Sequence, residues 1–241
     1  MPPAAPVALV TGAGRRLGQA IAVALGARGM RVAVHHNRSG ADETCRLIRE
    51  RGGEAVPFPA DLADPDAPDA LVAAVAARFG TIDVLVNSAA IMERTPIGEV
   101  TPAQWDAMFA LNLRAPFFLA QAAHRVMAER GGVIVNMADL AAFETWPAYV
   151  PHGISKAGVV QMTRALARAL APGVRVNAVA PGAVMLPDAW NAAAGERLRS
   201  TTPLQRLGAP DDVVQAVLYL VDAGYVTGET IVVDGGRHVR R

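Results

Sequence analysis

The chain has 241 residues, 52% of them hydrophobic and 19% charged, with 23 basic against 22 acidic side chains. That apolar fraction excludes intrinsic disorder, and a net charge of +1 provides no field to gather nucleic acid or an anionic membrane. A lone cysteine, Cys45, excludes an internal disulfide framework and a thiolate metal site, and no metal site is expected.

Met1 to Pro6 lacks the basic-then-apolar pattern of a secretory signal, and no run approaches the ~20 apolar residues of a membrane span. A soluble, cytoplasmic protein is expected. The first strand is predicted over Val7 to Thr11, followed by a helix over Leu17 to Arg28. The alternation then repeats: strands over Arg31 to His36, Ala55 to Pro59, Val84 to Asn87, Val133 to Asn136, Arg175 to Ala180 and Thr230 to Val233, with helices over Asp42 to Arg51, Asp66 to Phe79, Arg114 to Arg130, Ile154 to Ala171 and Asp211 to Leu220. The strands are continuously apolar, as in a parallel sheet covered on both faces. Gly29, Gly52 and Gly80 follow helical segments, where a C-terminal cap prefers glycine. The expectation is an α/β protein: one domain over 1–241, a doubly wound, Rossmann-like parallel sheet with helices on both faces. The one long irregular region, about 182–208, reads as a lid or substrate loop.

Thr11-Gly12-Ala13-Gly14-Arg15-Arg16-Leu17-Gly18 follows the first strand and opens the first helix. Glycine permits close backbone approach to a pyrophosphate, and a helix N-terminus supplies N–H groups and positive dipole. Gly12, Arg16, Leu17 and Gly18 are therefore candidate cofactor contacts. The second strand ends Val34-His35-His36-Asn37-Arg38-Ser39, without the acid that would accept from a ribose 2′-hydroxyl. Arg38 and Ser39, with Arg16 across the glycine turn and His36 beside them, suit a 2′-phosphate instead, so NADP(H) is expected over NAD(H). Asp61 and Leu62, just past the third strand, are candidate adenine contacts.

These residues, with Asn87-Ser88-Ala89-Ala90, Asn112, Lys156, Pro181-Gly182 and Val233-Asp234-Gly235-Gly236, resemble the short-chain dehydrogenase/reductase superfamily over nearly the whole chain. Within it, Arg16-Leu17-Gly18, the His35-to-Ser39 strand end, Asp139 and Pro203-Leu204-Gln205-Arg206 are most similar to the pteridine reductases, which reduce pterins and folates with NADPH. The resemblance implies that Asn87, Ala89, Lys156, Pro181 and Gly182 also contact the cofactor. It further implies hydride transfer to a C=N or C=O bond of a small substrate, and a homodimer or homotetramer. In the superfamily a tyrosine four residues before the lysine passes the proton; here that position is His152.

Lys156 is the only lysine among 23 basic residues, the other 22 being arginine. A compact ammonium with rotatable donors does what a planar guanidinium cannot. Imidazole can act as acid or base near neutrality; the ammonium would favour its neutral form and Asp139 its charged form. The expected catalytic set is Asn112, Asp139, His152 and Lys156; the resemblance implies that Asn112 anchors a water that leads to the lysine. Tyr149 is the alternative proton source, although Pro151 places it off the helix that carries Lys156. Ala90 and Met92 stand where the pteridine reductases have a serine and a stacking phenylalanine, so Trp146 and Trp190 are candidates for an aromatic face. A nucleotide-binding regulatory module and a structural subunit are the rival readings, both favoured by the missing tyrosine.

Overall fold

The computed structural model describes residues 4–127, 130–186 and 192–239. Seven strands are present: β1 (Val7–Val10), β2 (Arg31–His36), β3 (Ala55–Pro59), β4 (Val84–Asn87), β5 (Gly132–Met137), β6 (Val174–Pro181) and β7 (Thr230–Val233). They form one sheet of order β3-β2-β1-β4-β5-β6-β7, and every neighbouring pair is parallel. The helices are α1 (Arg16–Ala27), α2 (Asp42–Glu50), α3 (Ala67–Phe79), α4 (Pro102–Phe109), α5 (Ala115–Met127), α6 (Val150–Ala169), α7 (Ala192–Thr201) and α8 (Pro210–Asp222).

Strand alternation divides the core into two layers. Leu9, Ala33, Leu85, Ile134 and Val176 face one way and pack with Leu71, Val75, Leu119 and Val159 of α3, α5 and α6. Their neighbours Val10, Val34, Val86, Val135 and Val179 face the other way, onto Ile21, Leu25, Ile48, Val213 and Val217 of α1, α2 and α8. The chain runs outward from β1 through β2 to β3, then returns to β4 on the far side of β1. That reversal is the topological switch point, outside whose strand ends doubly wound sheets bind ligands. Thr11 closes it, its backbone N–H donating to Val86 O at 2.9 Å.

Three elements differ from the sequence expectation. The region 182–208 is not irregular throughout, because it contains α7. Between β4 and α5 stands α4, started by a reciprocal cap in which Thr101 Oγ1 accepts from Gln104 N and Gln104 Oε1 accepts from Thr101 N. One turn of π-helix, Ala110–Arg114, then joins α4 to α5. Among the described residues no helix is long and apolar enough to cross a membrane.

Candidate active site

The glycine turn is built by close packing. Gly12 sits at φ +63°, and a Cβ there would lie 2.9 Å from Ala89 Cα. A Cβ on Gly14 would lie 2.1 Å from Gly40 O and 2.6 Å from Ser39 Oγ; one on Gly18 would lie 2.3 Å from Gly12 O. The loop carrying Arg38 and Ser39 is thereby pressed onto the turn. Thr11 Oγ1 accepts from the backbone N–H groups of Ser88 and Ala89 at 2.9 and 3.0 Å, joining the ends of β1 and β4.

His35 ties in a third loop. Its Nδ1 accepts from Gly12 N at 3.0 Å, which leaves Nε2–H to donate to Ala60 O at 3.2 Å. Burial pushes its pKa down to about 4, so the ring is neutral at physiological pH. Thr11 and His35 were not among the expected cofactor contacts.

The N-terminus of α1 has no side-chain cap and no acid in its first turn. No acid opposes the positive dipole at this end, so the residues fit a dinucleotide phosphate. Arg38 and Ser39 are exposed beside it, and Arg38 has no partner among the described residues. Arg16 is at φ +53°, and its guanidinium donates to Met185 O at 2.9 Å and Leu186 O at 3.2 Å, at the start of the 182–208 region. His36 is half-buried, its Nδ1 facing Asn37 O at 3.3 Å. Asp61 is exposed and accepts from Ala63 N. The Leu62 side chain is buried in the core with Leu71 and Val75. Leu17 is half-buried against the α1-side core. Gly182, after Pro181 at the end of β6, lies so close to β7 that a Cβ would stand 2.7 Å from Asp234 Cβ.

The second cluster lies at the carboxyl ends of β4 and β5. Lys156 is on α6, 4% exposed, with Nζ donating to Met137 O at 2.8 Å. Burial pushes its pKa below the ordinary lysine value, and the Asp139 charge opposes that fall. One turn earlier is His152, 2% exposed. Its Nδ1 faces Ile91 O at 3.3 Å, and its Nε2 stands 3.7 Å from Asp139 Oδ2. The other Asp139 oxygen accepts from Ala141 N at 2.8 Å, which starts a 3₁₀ turn at Leu140–Ala142. Pro151 occupies the first turn of α6, and Tyr149 is the residue before that helix, its ring edge-on to Trp146. Trp190 lies outside the described residues.

Asn112 belongs to the π-helical turn, a geometry that recurs at functional sites because it turns a side chain out of the helical register. Its amide is bonded to the backbone N–H and C=O of Ile91, and Nδ2 also lies 3.2 Å from Ser155 Oγ and 3.2 Å from Met108 Sδ. The Asn87 side chain lies at the carboxyl end of β4, Nδ2 donating to Asn136 Oδ1 at 2.9 Å, while Asn136 donates to Thr163. Among the described residues no three His, Cys, Asp or Glu side chains are grouped to hold a metal.

A parallel sheet of this strand order, with a glycine turn at its switch point and a buried lysine across from it, defines the doubly wound dinucleotide-binding class. The family described as enoyl-(acyl carrier protein) reductase matches residues 12–238. The chain is 38% identical over 239 residues to a 3-oxoacyl-[acyl-carrier-protein] reductase of Synechocystis sp., covering 96% of each. It is 36% identical over 250 residues to versicolorin reductase 1 of Aspergillus parasiticus, covering 95% of each. Among solved structures, FolM alternative dihydrofolate reductase 1 from Brucella canis, complexed with NADP, superposes with TM-score 0.92 at 34% identity, covering 98% of this chain and 95% of that one. A gluconate 5-dehydrogenase from Burkholderia cenocepacia, in complex with NADP and tartrate, gives 0.92 at 31% identity, covering 98% and 96%. The chain belongs to the short-chain dehydrogenase/reductase superfamily of oxidoreductases.

Proposed function

We propose that the protein is an NADPH-dependent reductase acting on a C=N or C=O bond of a small, flat, pterin-like heterocycle, with His152 as the proton donor. The observation that carries the reading is the chain's sole lysine, buried one helical turn from an imidazole that faces a carboxylate. The Brucella canis and Burkholderia cenocepacia structures are complexes with NADP, and the first of these proteins is a dihydrofolate reductase by name.

The uncapped start of α1 receives the pyrophosphate, and Arg38 and Ser39 receive the 2′-phosphate by charge-assisted hydrogen bonds. The two Lys156 N–H groups not engaged by Met137 O hold the nicotinamide ribose. When bound, NADPH supplies the hydride. His152 Nε2–H passes its proton to the oxygen or nitrogen that gains the electron pair, and Asp139 stabilises the charged ring beforehand. Phe143, half-exposed just beyond the Asp139 turn, and Trp146 offer aromatic faces to a flat substrate. A second copy of the chain covers the apolar surface of α4, α5 and α6, where Trp105, Phe117 and Phe118 are each more than a third exposed.

The test is NADPH binding followed by turnover on a panel of pterins, quinones and ketones, read as loss of reduced-nicotinamide absorbance. The reading expects micromolar binding, on the order usual for such cofactors, and turnover concentrated among the pterins. NADPH binding with no turnover on any member favours the second reading, a nucleotide-binding module that has lost catalysis with the tyrosine.

A further inference from the structure

We propose that Asn112 is a positioning residue that sets the tautomer of His152: by pinning the Ile91 backbone it makes the Ile91 carbonyl the acceptor for Nδ1–H, and so reserves Nε2 for proton exchange. This inference rests on the proposed role of His152 as proton donor.

Ile91 lies in the loop after β4, where the peptides on either side of it are free to turn unless something holds them. Asn112 holds one polar group of each: Oδ1 accepts from Ile91 N, in the peptide before the residue, at 2.9 Å, and Nδ2 donates to Ile91 O, in the peptide after it, at 2.9 Å. The two bonds together clamp the backbone of residue 91, and the second aims its carbonyl. The second lone pair of the same carbonyl faces His152 Nδ1 at 3.3 Å. A carbonyl only accepts, so Nδ1 carries a proton there, and in the neutral ring Nε2 is then the lone-pair nitrogen. The clamp also reaches the His152 backbone, since Ser155 Oγ, 3.2 Å from Asn112 Nδ2, donates to His152 O at 2.7 Å.

At Nε2 the surroundings are different. This atom is buried and without a hydrogen-bond partner among the described residues, 3.7 Å from Asp139 Oδ2. A lone pair facing a carboxylate oxygen leaves a place for one proton between them. The charged groups around the ring are Asp139 from the end of β5 and Lys156 from the next turn of α6; Tyr149 stands before the helix, and Asn112 and Ser155 are neutral. In the reductive step a substrate carbon accepts hydride, its oxygen or nitrogen takes the π electron pair, and Nε2–H gives that atom its proton. The N–H electron pair stays on Nε2, the ring becomes the neutral Nδ1–H form, and solvent restores the proton. With the opposite tautomer Nδ1 would be unprotonated against a carbonyl, a repulsive contact, and the neutral ring could not accept a proton at Nε2.

The test is nitrogen NMR of the full chain labelled in its histidines, at about pH 8.5, above the usual imidazole range. His152→Asn identifies the resonances. The parent is expected to show His152 mainly as Nδ1–H, against the preference of imidazole in water for Nε2–H. Asn112→Asp keeps the acceptor for Ile91 N–H and removes the donor to Ile91 O; Asn112→Ala removes both. Each is expected to move the tautomer ratio toward Nε2–H by about three- to tenfold, the scale of one lost hydrogen bond. Both are expected to lower kcat with little change in the NADPH dissociation constant. An Nε2–H ring in the parent, or an unchanged ratio in the near-isosteric Asn112→Asp, overturns the proposal. Full turnover in His152→Ala would instead overturn the proton-donor reading and leave the tautomer result standing.

Discussion

Lys156 sits in a slot almost closed to water, where burial works against its charge and one carbonyl and the Asp139 charge oppose that penalty. A guanidinium is larger, planar and unable to rotate its donors about a single bond. Lys156→Arg therefore retains the charge but not the placement, and a displacement of about 1 Å is enough to cost roughly a hundredfold in turnover. The expected result is a fall of at least about that size in kcat, measured beside an NADPH dissociation constant that rises far less; full activity would mean that charge alone suffices. This residue was legible because a chain written in arginine made one exception. The bond from Asn87 to Asn136 was not legible, because pairing across strands is invisible along the chain. Arg16 was half legible: its place in the glycine turn was clear, but its partners, Met185 and Leu186, come from the other end of the chain.

The seven strands and six of the helices could be read to within a few residues, since fully buried parallel strands and the segments between them differ so plainly in composition. The missing α4 carried its own signal in Thr101-Pro102-Ala103-Gln104, where a capping threonine precedes proline and a glutamine three residues on. The π-helical turn has no such signal, because it arises from how α4 and α5 meet. The end of β2 makes a testable element. His35 is neutral when folded, with its pKa near 4 against an unfolded value of 6.5, so the unfolded chain binds the extra proton first as the solution is acidified. Its contribution is fully present above pH 6.5 and is lost as pH falls from there toward 4, up to about 3 kcal/mol. Denaturant titrations at neutral pH and at about pH 4.5 should show a steeper loss in the parent than in His35→Gln, by roughly 2–3 kcal/mol. Equal losses would show that the ring titrates alike in both states. Because the same ring holds Gly12 N–H, NADPH affinity should hold down to about pH 4 and weaken only where the folded ring takes up its proton.

At the scale of the whole molecule, the exposed Phe117 and Phe118 on α5 mark a face that a second copy is proposed to cover. Phe117→Asp should shift the light-scattering mass toward the monomer, because a charge buried in an interface has no partner there; an unchanged mass would place the contact elsewhere. The cofactor end can be tested independently of assembly. Arg38→Asp removes the cation facing a 2′-phosphate and supplies an acceptor for a ribose hydroxyl, so the ratio of NADPH to NADH affinity should fall by about tenfold or more. The chemistry itself is decided by comparing NADPH turnover in the parent, His152→Ala and Tyr149→Phe on one substrate. Loss of turnover by about a hundredfold or more in His152→Ala, with NADPH binding retained and Tyr149→Phe unaffected, is the predicted result. Parent-level turnover in His152→Ala would contradict it.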